Sequence, residues 1–405
     1  MSDTYTYKVR DKQGKILQGT LDADSTTLVA NKLRQMGYVP IAIDKKGGAG
    51  FSTELKLPGS GRPKIKDIAV FSRQFAVMID SGLSLLRALY VLEDQTENKA
   101  LARVIGEVRQ DVEKGASLSQ ALGRHPKVFS RLYISMVRAG ETGGQLDRVL
   151  VQLADTIEKQ VELRQKIKSA MTYPVAVLAL VILILIAMLI FIVPTFKTLY
   201  DDLGGTLPLP TRILLLVSSV MVKALPIVIL ATVGFVFGFK RWIESTKGRV
   251  LWDRFKLRVP VFGKLVRLIA LTRFSKTLAS LLHAGVPILE SLEITSDTVG
   301  NTVVATAVKD VQEGVKQGEP IAKRLENHAV FPPMVVQMLA VGEETGAVDT
   351  MLEKVGEFYE REVEATVEAL TSLLEPLLIC VLGGAVGSMV VSLYMPMFNI
   401  IKLIK

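Results

Sequence analysis

The chain has 405 residues, is 49% hydrophobic but only 6% aromatic, and carries a formal charge of +9. This length suits about two or three domains, and the aliphatic bias favours helices over a sheet-rich fold. Nucleic-acid binding calls for a basic patch with stacking aromatics or a recognisable module. The sequence offers neither, which points to basic loops beside a membrane.

Residues 1–44 differ from the rest. Tyr5, Tyr7 and Val9 alternate with polar residues, as in a short strand. Asp11 to Gly14 reads as a turn, and Ile16 to Leu21 as a second strand. Ser25 can cap a helix that stops at Gly37, and Val39 to Ile43 can return as a strand. The expectation is a small ββαβ module. Met1 to Arg34 has no apolar core segment, so no cleavable signal peptide is expected. Residues 45–63, rich in Gly and Pro, read as a linker.

From residue 64 the chain says nearly the same thing twice. Phe71-Ser72-Arg73 returns as Phe274-Ser275-Lys276, Gly82 as Gly285, and Gly115 as Gly318. Glu141-Thr142-Gly143 returns as Glu344-Thr345-Gly346, also 203 residues on. Pro174 answers Pro376, and Pro194-Thr195-Phe196 answers Pro396-Met397-Phe398, at an offset of 202. Leu146, Val149, Leu150, Leu153 and Ile157 form a helical stripe, repeated by Val348, Met351, Leu352, Val355 and Tyr359. Ser117 starts a helix with a capping-box pattern, where the second copy uses Pro320. The expectation is two homologous helical bundles, over 64–172 and 240–372.

Each bundle leads into an apolar run. Val175 to Val193 and Leu377 to Met395 carry no charge, and Ile213 to Phe239 carries only Lys223. A span needs roughly 20 apolar residues. Three transmembrane helices are therefore expected, over 173–195, 213–239 and 373–396, with Lys223 snorkelling to an interface. Between Lys240 and Arg273 there are ten Lys or Arg against two acids, Glu244 and Asp253. Between Thr195 and Thr211 only Lys197 stands against Asp201 and Asp202. Basic flanks stay inside. Both bundles and the N-terminus are thus expected in the cytoplasm, with the loop 196–212 and the tail 397–405 outside. Trp242 and Trp252 suit either the headgroup zone or a small core in a linker helix. Gly234-x3-Gly238 and Gly383-x3-Gly387 permit close helix packing.

Motifs for chemistry are scarce. The phosphate loop and the His-Glu-x2-His metal pair are both absent. The sole cysteine, Cys380, lies in an apolar run and excludes an intramolecular disulfide. His125 and His328 occupy equivalent positions and read as structural residues at loop ends. The repeated Glu-Thr-Gly has two readings. It is a helix break in which the acid faces the positive end of the following helix, or it is a contact for a partner, carried by Glu141, Thr142, Gly143, Glu344, Thr345 and Gly346. Glu375, before Pro376 at a span edge, is a further contact candidate.

These residues together resemble the type II secretion F family, the inner-membrane platform proteins of type II secretion and type IV pilus machines. The resemblance runs from Tyr7 to Phe398. It is carried by Gly115-x-Ser117-Leu118, Ala139-Gly140-Glu141-Thr142-Gly143, Thr172-Tyr173-Pro174 and Val193-Pro194-Thr195-Phe196, with Gly342-Glu343-Glu344-Thr345-Gly346 and Glu375-Pro376 in the second copy. Phe129-x-Arg131-Leu132-Tyr133 and Phe331-Pro332-Pro333-Met334 look more like the pilus branch.

The resemblance implies an all-α integral membrane protein with a small N-terminal α+β module, and no enzyme. It implies a cytoplasmic assembly ATPase, pilin subunits, other inner-membrane assembly proteins, membrane lipid and further copies of itself as partners. It also implies, from some secretion-branch members, a calcium site at Glu97, Val151 and Asp155. Val151 supplies no side-chain oxygen where calcium takes six to eight oxygens, so no cofactor is expected. A type II secretion platform and a small membrane transporter are the alternatives. Three spans without a midplane charge are few for a transport path.

Overall fold

The computed structural model describes residues 3–10, 16–23, 25–45, 63–195, 198, 209–260 and 262–403. The turn Asp11 to Gly14, nearly all of the linker 45–63, most of the loop 196–212 and the side chain of Lys223 lie outside the described residues.

Two units divide the chain, at residues 1–62 and 63–405. In the first, β1 (Asp3–Arg10) pairs antiparallel with both β2 (Ile16–Ala23) and β3 (Val39–Lys45), giving the order β2-β1-β3. Helix α1 (Thr26–Gln35) starts where the Ser25 hydroxyl accepts from the Leu28 amide. It stops at Gly37, whose φ of 83° favours glycine. Its Val29 and Leu33 bury against Tyr5 and Val9 of β1.

Among the described residues, the regular elements of the second unit are all helices. The first bundle comprises α2 (Ile65–Asp80), α3 (Leu85–Gln95), α4 (Lys99–Glu113), α5 (Leu118–Gly123), α6 (Arg131–Gly143) and the first turns of α7 (Leu146–Ala187). After α8 (Leu209–Glu244) and α9 (Thr246–Arg258), the plan repeats as α10 (Phe262–His283), α11 (Ile288–Thr298), α12 (Thr302–Lys316), α13 (Ile321–Glu326), α14 (Pro333–Thr345) and α15 (Val348–Leu403). The boundaries repeat with their chemistry. Asn98 and Asn301 each accept two backbone amides at the start of α4 and α12. Gly144 and Gly346 each close a helix in the left-handed region. The two apolar stripes lie buried or half-buried, that of α7 in the first core and, apart from the half-buried Met351, that of α15 in the second.

Neither of the last bundle helices stops with its bundle; α7 and α15 run on past it. The first continues through Pro174 and a π-helical turn, Met188–Ile192, to Thr195. Both are long and apolar enough to cross a membrane. Their apolar windows lie almost wholly on the surface, as a lipid-facing helix requires. The 36-residue α8 meets them. Leu189 and Val193 of the first, Met389 of α15 and Leu215 of α8 form a common cluster. In the π turn the Val193 amide bonds the Met188 carbonyl, and Pro194 has no N–H to offer Leu189; the buried Ser218 hydroxyl of α8 donates to the Leu189 carbonyl at 2.5 Å. The glycine pairs do not pack the helices within the chain. Among the described residues, an added Cβ at Gly234, Gly238, Gly383 or Gly387 would meet nothing within 4 Å.

Candidate partner-docking site

Helix α6 presents Glu141 one turn before its left-handed end. The carboxylate reaches back to α5, accepting from the amides of Leu118 at 2.5 Å and Ser119 at 3.1 Å. The Ser117 hydroxyl caps the same end by accepting from the Gln120 amide. A carboxylate at a helix N-terminus satisfies two orphan amides and faces the positive end of the dipole. The helix it serves is the preceding α5, not the following α7 that sequence reasoning favoured.

In the second bundle the same task falls to Glu343. Its carboxylate accepts from Ile321 at 2.5 Å and Ala322 at 3.0 Å. The matching Glu-Thr-Gly tripeptides are therefore one residue out of structural register. His125 and His328 correspond at an offset of 203, but Phe129 and Phe331 at 202, because the second loop is one residue shorter. Past that loop Gly140 answers Gly342, Glu141 answers Glu343, Thr142 answers Glu344, and Gly144 answers Gly346. Gly140 and Gly342 support this register: an added Cβ would strike Leu146 and Val149 in one bundle, and Val348 and Met351 in the other.

The remaining candidates are free of that task. Thr142, Gly143, Glu344, Thr345 and Gly346 are exposed, with the Thr142 and Thr345 hydroxyls bonded to carbonyls one turn back. Beside Glu141 a shallow pocket is lined by Ser117, Gln120, Arg138 and Thr142. Glu375 is exposed on α15, far along the chain from both loops.

Two of the three residues implied for calcium are otherwise engaged. Asp155 pairs with Arg73, which also holds Glu158. These bonds hold the Glu158 carboxyl below its usual range. The second bundle repeats the pairing as Lys276 with Glu360, at 2.5 Å. Glu97 is exposed in the turn before α4, and Val151 is packed against the first core. Among the described residues no group of three His, Cys, Asp or Glu side chains could hold a metal.

Sequence reasoning missed the seam between the bundles. On α6, Arg131, Ser135 and Arg138 share a face; on α11, so do Glu290, Glu293 and Asp297. Arg131 bonds Glu293 at 2.9 Å and Asp297 at 2.7 Å, and the Ser135 hydroxyl donates to Glu290 at 3.0 Å. Beside them, Gln152 donates to the Ser280 carbonyl, and the Thr156 and Ser280 hydroxyls lie 3.2 Å apart. Leu281, Val286 and Ile294 of the second bundle complete the first core. Exposed ion pairs contribute at most about 1 kcal/mol each, so the apolar contacts bind the seam and the charges set its register. The spacings of 131, 135, 138 and of 290, 293, 297 were legible as charged helix faces, though not as partners.

Asp253 was also missed. It is buried on α9, accepts the Thr302 amide at 2.9 Å at the start of α12, and pairs with Lys256 at 2.7 Å. Burial pushes its carboxyl up, but Lys256 and Thr302 outweigh that and hold it below the usual aspartate range. Trp252, next to it, packs edge-on against Phe239 of α8 at 5.1 Å between centroids.

The family model for type II secretion system protein F matches residues 71–194 and 274–396, one match for each bundle with its apolar helix. The model for the N-terminal domain of that protein matches residues 1–44. The chain is 48% identical over 400 residues to the type IV pilus assembly protein PilC of Thermus thermophilus, covering 98% of each chain. It is 38% identical to the PilC of Myxococcus xanthus, covering 98% of this chain and 94% of that one. To the type II secretion system protein F of Pseudomonas aeruginosa it is 31% identical, covering 99% of each.

Proposed function

Because this chain belongs to the type II secretion system protein F family, we propose that it is the inner-membrane platform of a type IV pilus assembly machine. The observation that carries the pilus branch is the 48% identity, end to end, with a protein named for pilus assembly, against 31% with a secretion-system relative. On this reading the chain is not itself an enzyme. Its two bundles lie in the cytoplasm and engage an assembly ATPase. Three helices, α7, α8 and α15, cross the membrane and meet pilin subunits, lipid and the other inner-membrane assembly proteins. The small α+β unit stands on the cytoplasmic side with the N-terminus.

The two spans between the bundles have a mechanical consequence. One span would place the second bundle outside; α8 returns the chain to the cytoplasmic side before that bundle begins. Both bundles then face the same ATPase, and their shared seam lets a push on one reach the other. Thr142 and Glu344, equivalent and exposed, are proposed as ATPase contacts with Gly143, Thr345 and Gly346. Glu141 acts through the α5 terminus it holds, and Glu375 faces pilin at the membrane edge.

The test is a deletion strain. Surface fibres counted by electron microscopy should vanish and return on complementation, while secretion of folded exoproteins continues. Fibres persisting while exoproteins accumulate in the periplasm would favour the secretion branch. Uptake of a radiolabelled solute by vesicles holding the purified protein would instead favour a transporter.

A further inference from the structure

Helix α9 turns sharply away from the end of α8. On one continuous axis Trp252 and Phe239 would lie about 20 Å apart, yet their rings meet edge-on at 5.1 Å. Gly248 permits the turn, because an added Cβ there would strike the Trp242 carbonyl. The back of α9 is fixed to the second bundle. The buried Asp253 carboxylate accepts the Thr302 amide at 2.9 Å, and the Asn301 side-chain amide donates to the Asp253 carbonyl at 3.4 Å. The helix therefore cannot roll over to hide its other face.

On that face Val250, Leu251 and Phe255 are 40%, 59% and 56% exposed. Lys247, Arg254 and Arg258 are exposed among them. At 3.6 residues per turn all six fall within an arc of about 140°. Among the described residues none of the three cations has an ion-pair or side-chain hydrogen-bond partner. Residues 240–258 hold seven Lys or Arg against Glu244 and Asp253, and neither acid lies on this face. A shallow hollow there is lined by Thr246, Lys247, Val250, Leu251 and Arg254. Water disfavours the apolar half of such a surface, and a dry protein contact disfavours its unpaired cations. A bilayer surface accommodates both, with apolar side chains at the acyl boundary and cations on lipid phosphates. Position favours it too. Ser245 alone separates α9 from α8, so the face begins where α8 leaves the bilayer. Phe239 stacks on Trp242, and Trp252 on Phe255, so aromatic rings line the junction at headgroup level. We propose that this face of α9 binds anionic phospholipid, with Lys247, Arg254 and Arg258 on headgroup phosphates and Val250, Leu251 and Phe255 among the first acyl carbons. Through Asp253 and Thr302, lipid held there fixes the second bundle against the membrane. The inference rests on the platform reading for one point, that α8 crosses the bilayer and ends on the cytoplasmic side.

The test uses the full chain in a Cys380→Ser background, in nanodiscs of phosphatidylcholine alone or with about one third phosphatidylglycerol. Leu251→Cys on α9, Leu230→Cys on α8 and Lys309→Cys on α12 are each labelled with an NBD fluorophore, and quenching by spin-labelled lipid is read. Leu230 should be quenched in both lipids and Lys309 in neither. Leu251 should be quenched at least threefold more strongly with phosphatidylglycerol than without it. Adding Lys247→Gln, Arg254→Gln and Arg258→Gln should abolish that difference and leave the melting temperature in detergent unchanged. The charge-keeping pair Arg254→Lys and Arg258→Lys should retain the difference. Strong quenching at Leu230 with none at Leu251 overturns the proposal. So does equal quenching of Leu251 in the two lipids, which would mean apolar seating alone, or a Gln variant that keeps the difference. An unquenched Leu230 overturns the spanning of α8 and this proposal together. The readout does not involve fibres, so a deletion strain that still made them would refute the pilus assignment and leave this inference standing.

Discussion

Replacing Glu343 by alanine removes a carboxylate that holds the amides of Ile321 and Ala322 at the buried start of α13. Hydrogen bonds to a charged group contribute about 1.5–3 kcal/mol each. Water can reach the half-exposed Glu343 and part of the freed terminus, which reduces the sum to about 2 kcal/mol, near the upper range for a lost cap. Glu344 makes no such bond, and its replacement should cost less than about 0.5 kcal/mol. Hydrogen–deuterium exchange on the full chain in detergent reads this at residues 320–326. Glu343→Ala should speed exchange there by about 30-fold, Glu141→Ala should do the same at residues 117–123, and Glu344→Ala should leave both unchanged. Equal effects at 343 and 344, or a larger one at 344, would refute the structural register and restore the one that the matching tripeptides suggest.

Other outcomes follow from the same contacts. Asp253 is ionised in the fold to lower pH than in the unfolded chain, whose aspartates titrate near 3.8. Its contribution is therefore full above that pH and lost as pH falls through the lower folded value. Acid titration followed by Trp252 fluorescence in a Trp242→Phe background should show this loss, and Asp253→Asn should remove Asp253's share of the dependence, leaving that of Glu158 and Asp310, while lowering stability at pH 7. Ser218→Ala leaves the Leu189 carbonyl without its donor in an apolar zone and should lower stability by about 1 kcal/mol, seen as a lower melting temperature in detergent. Gly342→Ala forces a Cβ to within 2.9 Å of the Val348 backbone. It should cost about 1–3 kcal/mol, whereas Gly383→Ala, facing open space, should leave the melting temperature of the solubilised chain unchanged.

Much of the architecture could be read from the chain because duplication tests each assignment twice. The stripe from Leu146 to Ile157 is convincing because Val348 to Tyr359 repeats it, and both bury as their spacing requires. Register was harder. A one-residue shortening between His328 and Phe331 displaces everything after it, yet a chance identity of three residues disguises the slip. Only the carboxylate's position against a helix terminus reveals which glutamate does the work. The bundle seam was invisible for a different reason. Arg131 and Glu293 are 162 residues apart, and a charged helix face looks the same whether it meets water or a partner. Ser218 gave no signal at all, since its role depends on a π turn in another helix.

The central claim is that two equivalent bundles stand on one side of the membrane because an extra span intervenes. Its most direct test is labelling of single cysteines in the Cys380→Ser background with a membrane-impermeant maleimide, in cells whose outer membrane alone is permeabilised. Cysteines at Arg87 in the first bundle and Lys309 in the second should both stay unlabelled until the inner membrane is opened, while a cysteine at Gly205 in the intervening loop should label at once. Labelling of either bundle from outside, or protection of the loop, would contradict the account.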